Sequence, residues 1–432
     1  MNKKKIIAVL LIVVVIIPLL FIYIQEDKII LNEIPIVEIT YPYDGAVVSK
    51  IVTVSGTATD PDGNDNSLRV EVSINNKWHN AKGNNLWSYE WKAFEMKDGF
   101  YKLKVRSWDG TDYSKIKEII IKVDNPEIVE TDSHKWAIFI AASNFPEDNE
   151  SKLGNGALNL AEEISAHFIK NLGYSTSNII ILFDDGWIRE DNGYGEPLMT
   201  LDQRIHEYDI TYGAATKDTF ISSLKYTIDE SNKFGDSEVF IWISSHGCGD
   251  SNRKFGGKIL KRSAFFLWDD TFSDKELSNI LSGLKSKKTC IIVDACYSGG
   301  FADKTILNFP EFFLLRSRLA KPGRIVMTGA SKFKIGFAST TKGPLFSQLW
   351  FYGITSKKAD GFRPGILKIG RPTILRIFKD GKVSVEEAFY YARYVLRTSK
   401  NLEDYSKMEP QINDQYPYRG FIGSFKGLIL GE

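Results

Sequence analysis

Glu238–Phe301 decides the fold. It opens with EVFIWISSHGCGD (Glu238–Asp250) and closes with TCIIVDACYSGGF (Thr289–Phe301). Each is a short apolar run rich in Val and Ile with glycine just beyond, the pattern of a strand buried on both faces of a parallel sheet. The first run delivers His246 and Gly247. The second delivers Cys296, two residues after Asp294 and followed by Ser298, Gly299 and Gly300. Between them, SDKELSNILSGLKSKK (Ser273–Lys288) is amphipathic and helix-length, with Ser273 as N-cap and Glu276 at the capping-box position. A strand, a crossover helix and a parallel neighbour bring His246 and Cys296 to one sheet edge. The crevice beyond the carboxyl ends of such strands is where ligands bind, and a thiol nucleophile requires a histidine within reach.

Working outward, Trp136–Ala142 (WAIFIAA) and Asn178–Phe183 (NIIILF) read as two further buried strands. The helix Ala157–Leu172 closes at Gly173 as a C′ glycine, and Thr216–Phe234 is a second helix. Residues 187–215 carry many Gly, Asp and Tyr without periodicity and read as a long loop, either a wall of the groove or an excursion. Beyond Cys296 come a helical segment, Pro310–Ala320, and the strand GRIVMTGAS, which brings Ser331 to the same edge. Helices follow over Pro344–Ile354 and Val385–Arg397, and a terminal wrap over Met408–Glu432. DGKVSVEEAFYYAR has the Gly and Glu spacing of a calcium loop, but Arg376 and Phe378 stand where its first ligands belong. It reads as a turn before a helix. The order is that of an α/β doubly wound domain, a mostly parallel sheet flanked by helices over residues 134–432.

Residues 33–124 differ. About seven short segments of alternating polarity, parted by Asp-Gly and Asn-Asn turns, predict an all-β sandwich. Asp60, Asp62, Asn64 and Asp65 fit either a tight turn or an oxygen-ligated cation. Trp78, Trp87, Trp91 and Trp108 fit either sandwich packing or a carbohydrate platform. A polar linker, 125–133, follows. At the N-terminus Lys3–Lys5 precede an apolar run, 6–24, of roughly 28 Å as a helix, enough to span a bilayer core. No small-residue cleavage site follows it. This predicts an uncleaved transmembrane signal anchor, residues 1–5 cytoplasmic and the bulk of the chain outside the cell membrane. The 55 Lys and Arg nearly balance 54 Asp and Glu, which argues against a nucleic-acid-binding face. Three cysteines, clustered at 248, 290 and 296, make no disulfide framework.

The two motifs in this order, His-Gly after one strand and Asp-Ala-Cys-Tyr-Ser-Gly-Gly after the next, resemble those of the caspase/legumain/metacaspase superfamily of cysteine peptidases (clan CD), over roughly Lys135–Lys400. The sandwich resembles bacterial and archaeal Ig-like surface modules. The first resemblance implies an endopeptidase acting on protein or peptide substrates without a cofactor or metal. Cys296 is then the nucleophile and His246 the general acid and base, with the main-chain N–H groups of Gly247 and Cys296 holding the oxyanion. It implies that Asp294 binds substrate, facing a basic residue before the scissile bond, with Ser331 lining the same pocket. The acid that metacaspases carry near their first helix is missing from Gly154–Asn159, which leaves Asn or Asp as the preferred residue equally open. Legumain-like relatives include ligases, so transpeptidation is the alternative reaction. A surface binding protein with an inactive domain is the alternative class, and the Ig-like module could dock a surface partner. Cys248 reads as a bystander thiol or a redox-sensitive neighbour, and Cys290 as core. The basic stretch Asn252–Arg262 reads as a solvated loop or a self-processing site.

Overall fold

Alternation of burial separates the two halves of the chain. The computed structural model describes residues 32–63, 67–145, 152–249, 263–302, 319–364, 374–376, 379–417 and 427–432. The expected tail (1–5) and anchor (6–24), Asn64, Asp65, Asn252–Arg262 and all but the end of Pro310–Ala320 lie outside the described residues. Among the described residues no helix is long and apolar enough to cross a membrane. Two compact units divide at Asn125 and Pro126.

The first unit is a sandwich of a four-stranded and a five-stranded sheet. In Ile51–Thr59, Val52, Val54 and Ala58 are buried between more exposed neighbours, the period of two that a half-buried strand requires. The four tryptophans do not form a platform. Trp87 and Trp91 are packed in the core, because their positions alternate inward on Leu86–Lys92. Trp78 instead lies under the Arg106 guanidinium at 4.3 Å, and Trp108 packs against Tyr113 at 4.6 Å. Among the described residues no three His, Cys, Asp or Glu side chains come together to hold a metal ion.

The second unit is built on one sheet. Its strands are β1 (Lys135–Ala142), β2 (Ile179–Phe183), β3 (Thr211–Gly213), β4 (Glu238–Ser245), β5 (Lys288–Asp294), β6 (Arg324–Thr328) and β7 (Gln411–Asp414). They lie in the order β3-β2-β1-β4-β5-β6-β7, parallel throughout except β7, which runs antiparallel to β6. Helices α1 (Gly156–Leu172), α4 (Leu345–Thr355) and α5 (Val385–Thr398) cover one face, over Phe139, Phe240, Trp242 and Ile292. Helices α2 (Lys217–Ser231) and α3 (Asp274–Ile280) cover the other, over Ile138, Ile241, Ile243 and Val293. Cover on both faces is why the middles of these strands are apolar at consecutive positions. Each such side chain contributes about 1.5–3 kcal/mol on burial.

Local signals hold at the helix ends. Gly173 closes α1 at φ 71°. Capping boxes Ser273–Glu276 and Ser384–Glu387 open α3 and α5, the latter directly after the Asp380-Gly381 turn. Helix α3 is shorter than its pattern predicts. The buried Arg324 guanidinium takes the carbonyls of Leu281 (2.6 Å) and Leu284 (3.0 Å), ending the helix where its sequence could have continued. The long stretch 187–215 is not featureless. It holds the hairpin Trp187–Arg189/Pro197–Thr200 and supplies β3.

The terminal segment closes the opposite edge of the sheet. Leu428 and Leu430 are buried in the core. Gly431 donates its N–H to the buried Glu238 carboxylate (3.0 Å) and accepts from Lys135 Nζ (2.8 Å), while Lys288 Nζ meets the main-chain oxygen of Glu432. Burial raises the Glu238 carboxyl above its usual range, against the bonds from Tyr174 and Gly431.

Candidate active site

Strand register brings the two motifs level. Ser244 of β4 pairs with Asp294 of β5, so two residues further on His246 and Cys296 leave the same edge side by side. Gly247 marks the seam between them. A Cβ there would lie 2.0 Å from the Cys296 carbonyl oxygen and 3.0 Å from the Ala295 methyl, so only glycine lets the two backbones touch. This contact also puts the two expected oxyanion donors, Gly247 and Cys296, beside each other.

The Cys296 side chain is half-buried. Its Sγ accepts the Gly336 N–H at 3.3 Å and lies 3.8 Å from the Gly336 carbonyl. Burial pushes the thiol pKa up, the Gly336 N–H opposes that shift, and the nearby Asp294 charge adds to it. The resting group is therefore a thiol that needs a base, not a standing thiolate.

Hydrogen bonds to the main chain fix the turn that carries it. Tyr297 adopts the left-handed conformation (φ 57°), donates its N–H to Lys334 O (2.8 Å) and accepts from Ser263 Oγ (2.5 Å). Ser298 Oγ bridges the Ala330 carbonyl and N–H, each at 3.4 Å. Gly299 and Gly300 do not leave room for a substrate backbone. Cβ atoms there would meet Lys332 N at 2.4 Å and Ser263 Oγ at 2.4 Å, so the space is already filled by the protein's own loops.

Asp294 follows the alternation of β5 onto the face covered by α4. Its Oδ2 accepts the Ser347 N–H (2.9 Å) and Oγ–H (2.8 Å) in the first turn of that helix, and Ser347 Oγ also accepts the indole N–H of Trp242 (2.9 Å). Burial raises the carboxyl pKa to about 6, against these bonds. Oδ1 sits under Gly329, where a Cβ would be 1.9 Å away. Ser331 comes to the same edge with its hydroxyl buried and without a hydrogen-bond partner. Cys248 is half-buried, its thiol pushed up by burial, and Cys290 is core.

On the far side of His246 the chain supplies rings. The Phe145 ring centroid is 5.9 Å from that of His246, stacks on Trp268 (5.5 Å, 15° between planes) and meets Phe266 edge-on at 6.3 Å. Arg189 lies 4.9 Å over Trp268 and is held by Asp185 through bonds of 3.0 and 2.8 Å. The two residues before Phe145 are tied to Asp184, a fully buried residue at φ 41°. Its carboxylate accepts Ser143 N–H (2.6 Å) and Asn144 Nδ2–H (2.8 Å). Burial raises that carboxyl to about 7, against these bonds and the charge of Arg189. Sequence reasoning missed Gly336, Phe145, Trp268 and Asp184. Only the Asp184-Asp185 pair at a strand end offered a signal.

Residues 134–346 match the caspase domain family and residues 35–105 the bacterial Ig domain family. No curated protein matches. Among solved structures, caspase-1 from Spodoptera frugiperda is 11% identical, over 66% of this chain and 92% of that one, at a TM-score of 0.34. A protein of Geobacter sulfurreducens is 14% identical, over 53% and 84%, at 0.33. The fibronectin(III)-like modules of Clostridium thermocellum CbhA are 22% identical, over 21% and 98%, at 0.19. The chain thus carries a caspase-like α/β domain preceded by an Ig-like β domain, and the caspase domain family is one of cysteine peptidases.

Proposed function

We propose that this chain is a cysteine endopeptidase tethered outside the cell membrane, with His246 and Cys296 as its catalytic dyad. The observation that carries the reading is the seam: β4 and β5 release His246 and Cys296 at one level, with Gly247 packed directly on the Cys296 main chain. Cys296 Sγ attacks the substrate carbonyl carbon while its proton passes to His246. Main-chain N–H groups at Gly247 and Cys296 hold the oxyanion. The carbon–nitrogen bond then breaks as His246 returns the proton to the leaving amine, and a thioester remains. Water, deprotonated by His246, attacks it and frees the acid and the thiol. Asp294 and Ser331 belong to the substrate-binding side in this reading, with Asp294 Oδ2 held by Ser347. The apolar run 6–24 supplies the tether, and the Ig-like module stands between it and the peptidase unit in sequence. That module is available to dock a surface partner.

The test is a mixed peptide library incubated with the full chain and with Cys296→Ala, read by mass spectrometry. Cuts made only by the parent, clustered after Arg or Lys or after Asn or Asp, are expected. Joined peptides would turn the reading to a ligase, and identical products from both chains would end it.

A further inference from the structure

The sheet order sets residues in a row along the active edge: Phe145 after β1, His246 after β4, Cys296 after β5 and Gly336 beyond β6. The row has a direction. His246 must hand its proton to the leaving nitrogen, so that nitrogen lies on the His246 side of Cys296. The substrate residue that carries it, the first after the cut, then extends past His246 and over Phe145. What stands there is aromatic and half-buried: Phe145 stacked on Trp268 at 5.5 Å, with Phe266 edge-on at 6.3 Å. The Phe266 N–H donates to the His246 carbonyl at 3.0 Å, which ties this wall to the histidine. Arg189 closes the far end over Trp268, its charge matched by Asp185.

We infer that Phe145, Phe266 and Trp268 form the subsite for the substrate residue immediately after the scissile bond, and that it takes a large apolar or aromatic side chain. The inference rests on the peptidase reading. Three ring surfaces offer contact area and no free charge, so Phe or Leu gains there and Gly or Asp does not. The same rings shield His246 from bulk water once that side chain is in place.

The experiment uses the full chain and paired peptides, identical up to the bond that the library identifies and carrying Phe, Leu or Gly after it. Phe and Leu should exceed Gly in kcat/KM by at least about tenfold. In Trp268→Ala and Phe145→Ala that ratio should fall below about threefold, and Trp268→Phe should restore most of it. The same peptides are titrated by fluorescence anisotropy against Cys296→Ala, which binds without cutting. Cleavage and binding that ignore the residue after the bond overturn the subsite, as does a ratio unchanged in both alanine variants. No cleavage by the parent removes the peptidase reading and the subsite with it, and binding that still favours Phe would then mark the rings as an apolar binding pocket only.

Discussion

The two flanks of the His246–Cys296 seam are held by different forces. On the Cys296 flank the turn is pinned by hydrogen bonds, from the Tyr297 N–H to Lys334, from the Ser263 hydroxyl to Tyr297, and between the Ser298 hydroxyl and Ala330. On the His246 flank the contacts are ring faces and edges, steadied from beneath by the buried Asp184 carboxylate. Hydrogen bonds are directional and fix atoms, whereas ring packing fixes a surface and tolerates sliding. On the proposed reading, a nucleophile that must approach one carbonyl carbon suits the first kind of support. A subsite that must accept more than one side chain suits the second.

The seam itself is where that comparison breaks most severely. Gly247→Ala forces its Cβ against the Cys296 carbonyl, now 2.0 Å from that position, and separates the two side chains. Peptide cleavage should fall about 100-fold or more, measured as kcat/KM beside a melting curve showing that the chain still folds. Gly299→Ala tests the Cys296 flank alone, because its Cβ would meet Lys332 N at 2.4 Å. It should slow both cleavage and Cys296 alkylation by about tenfold, while Phe145→Ala leaves alkylation near parental. Equal alkylation rates in both variants would erase the distinction between the flanks.

The buried carboxylates sharpen it through pH. Asp184 has an ordinary pKa of 3.8, raised by burial to about 7, so its folded form holds a proton that the unfolded chain has already lost. Its contribution is complete below the unfolded value and is lost as pH rises through about 7. Asp184→Asn removes that slope. Relative to the parent, its unfolding free energy should gain about 4 kcal/mol between pH 4 and pH 8 in denaturant titrations. Asp294, raised to about 6, has the same sign over a narrower window. Ser331→Ala is the smallest change. Removing a buried hydroxyl that has no partner should stabilise the chain by about 1 kcal/mol. A fall in kcat/KM in the same variant would mean that the hydroxyl meets substrate.

Much of this was legible because local chemistry and global burial agree. Runs apolar at consecutive positions, such as the middles of β4 and β5, fit a doubly covered sheet, and the residues just beyond them, His246 and Cys296, stand out at once. Alternation also contained the orientation of Asp294, since Cys290, Ile292 and Asp294 share a face, although its bond to Ser347 needed the helix in place. Gly336 and Trp268 carry no local mark. Gly336 reaches Cys296 from 40 residues away because β6 lies next to β5, and Trp268 meets Phe145 only after the chain has turned back along Ala264–Phe266. The glycines after Cys296 are ambiguous for a related reason. Their smallness signals a close approach, and the sequence does not say whether a substrate or the protein's own loop approaches.

The segment 427–432 carries a consequence for the order in which this molecule comes into being. Its hydrogen bonds reach back 193 positions to Glu238 and 296 to Lys135, so the lower ends of β4 and β1 stay open until this distant segment is in place. The seam residues are made long before the foundation beneath their strands. Contacts so distant along the chain slow folding, and Glu238 keeps a buried carboxylate short of a donor until Gly431 arrives. Until 427–432 docks, β1 and β4 hold the seam on an unfinished base.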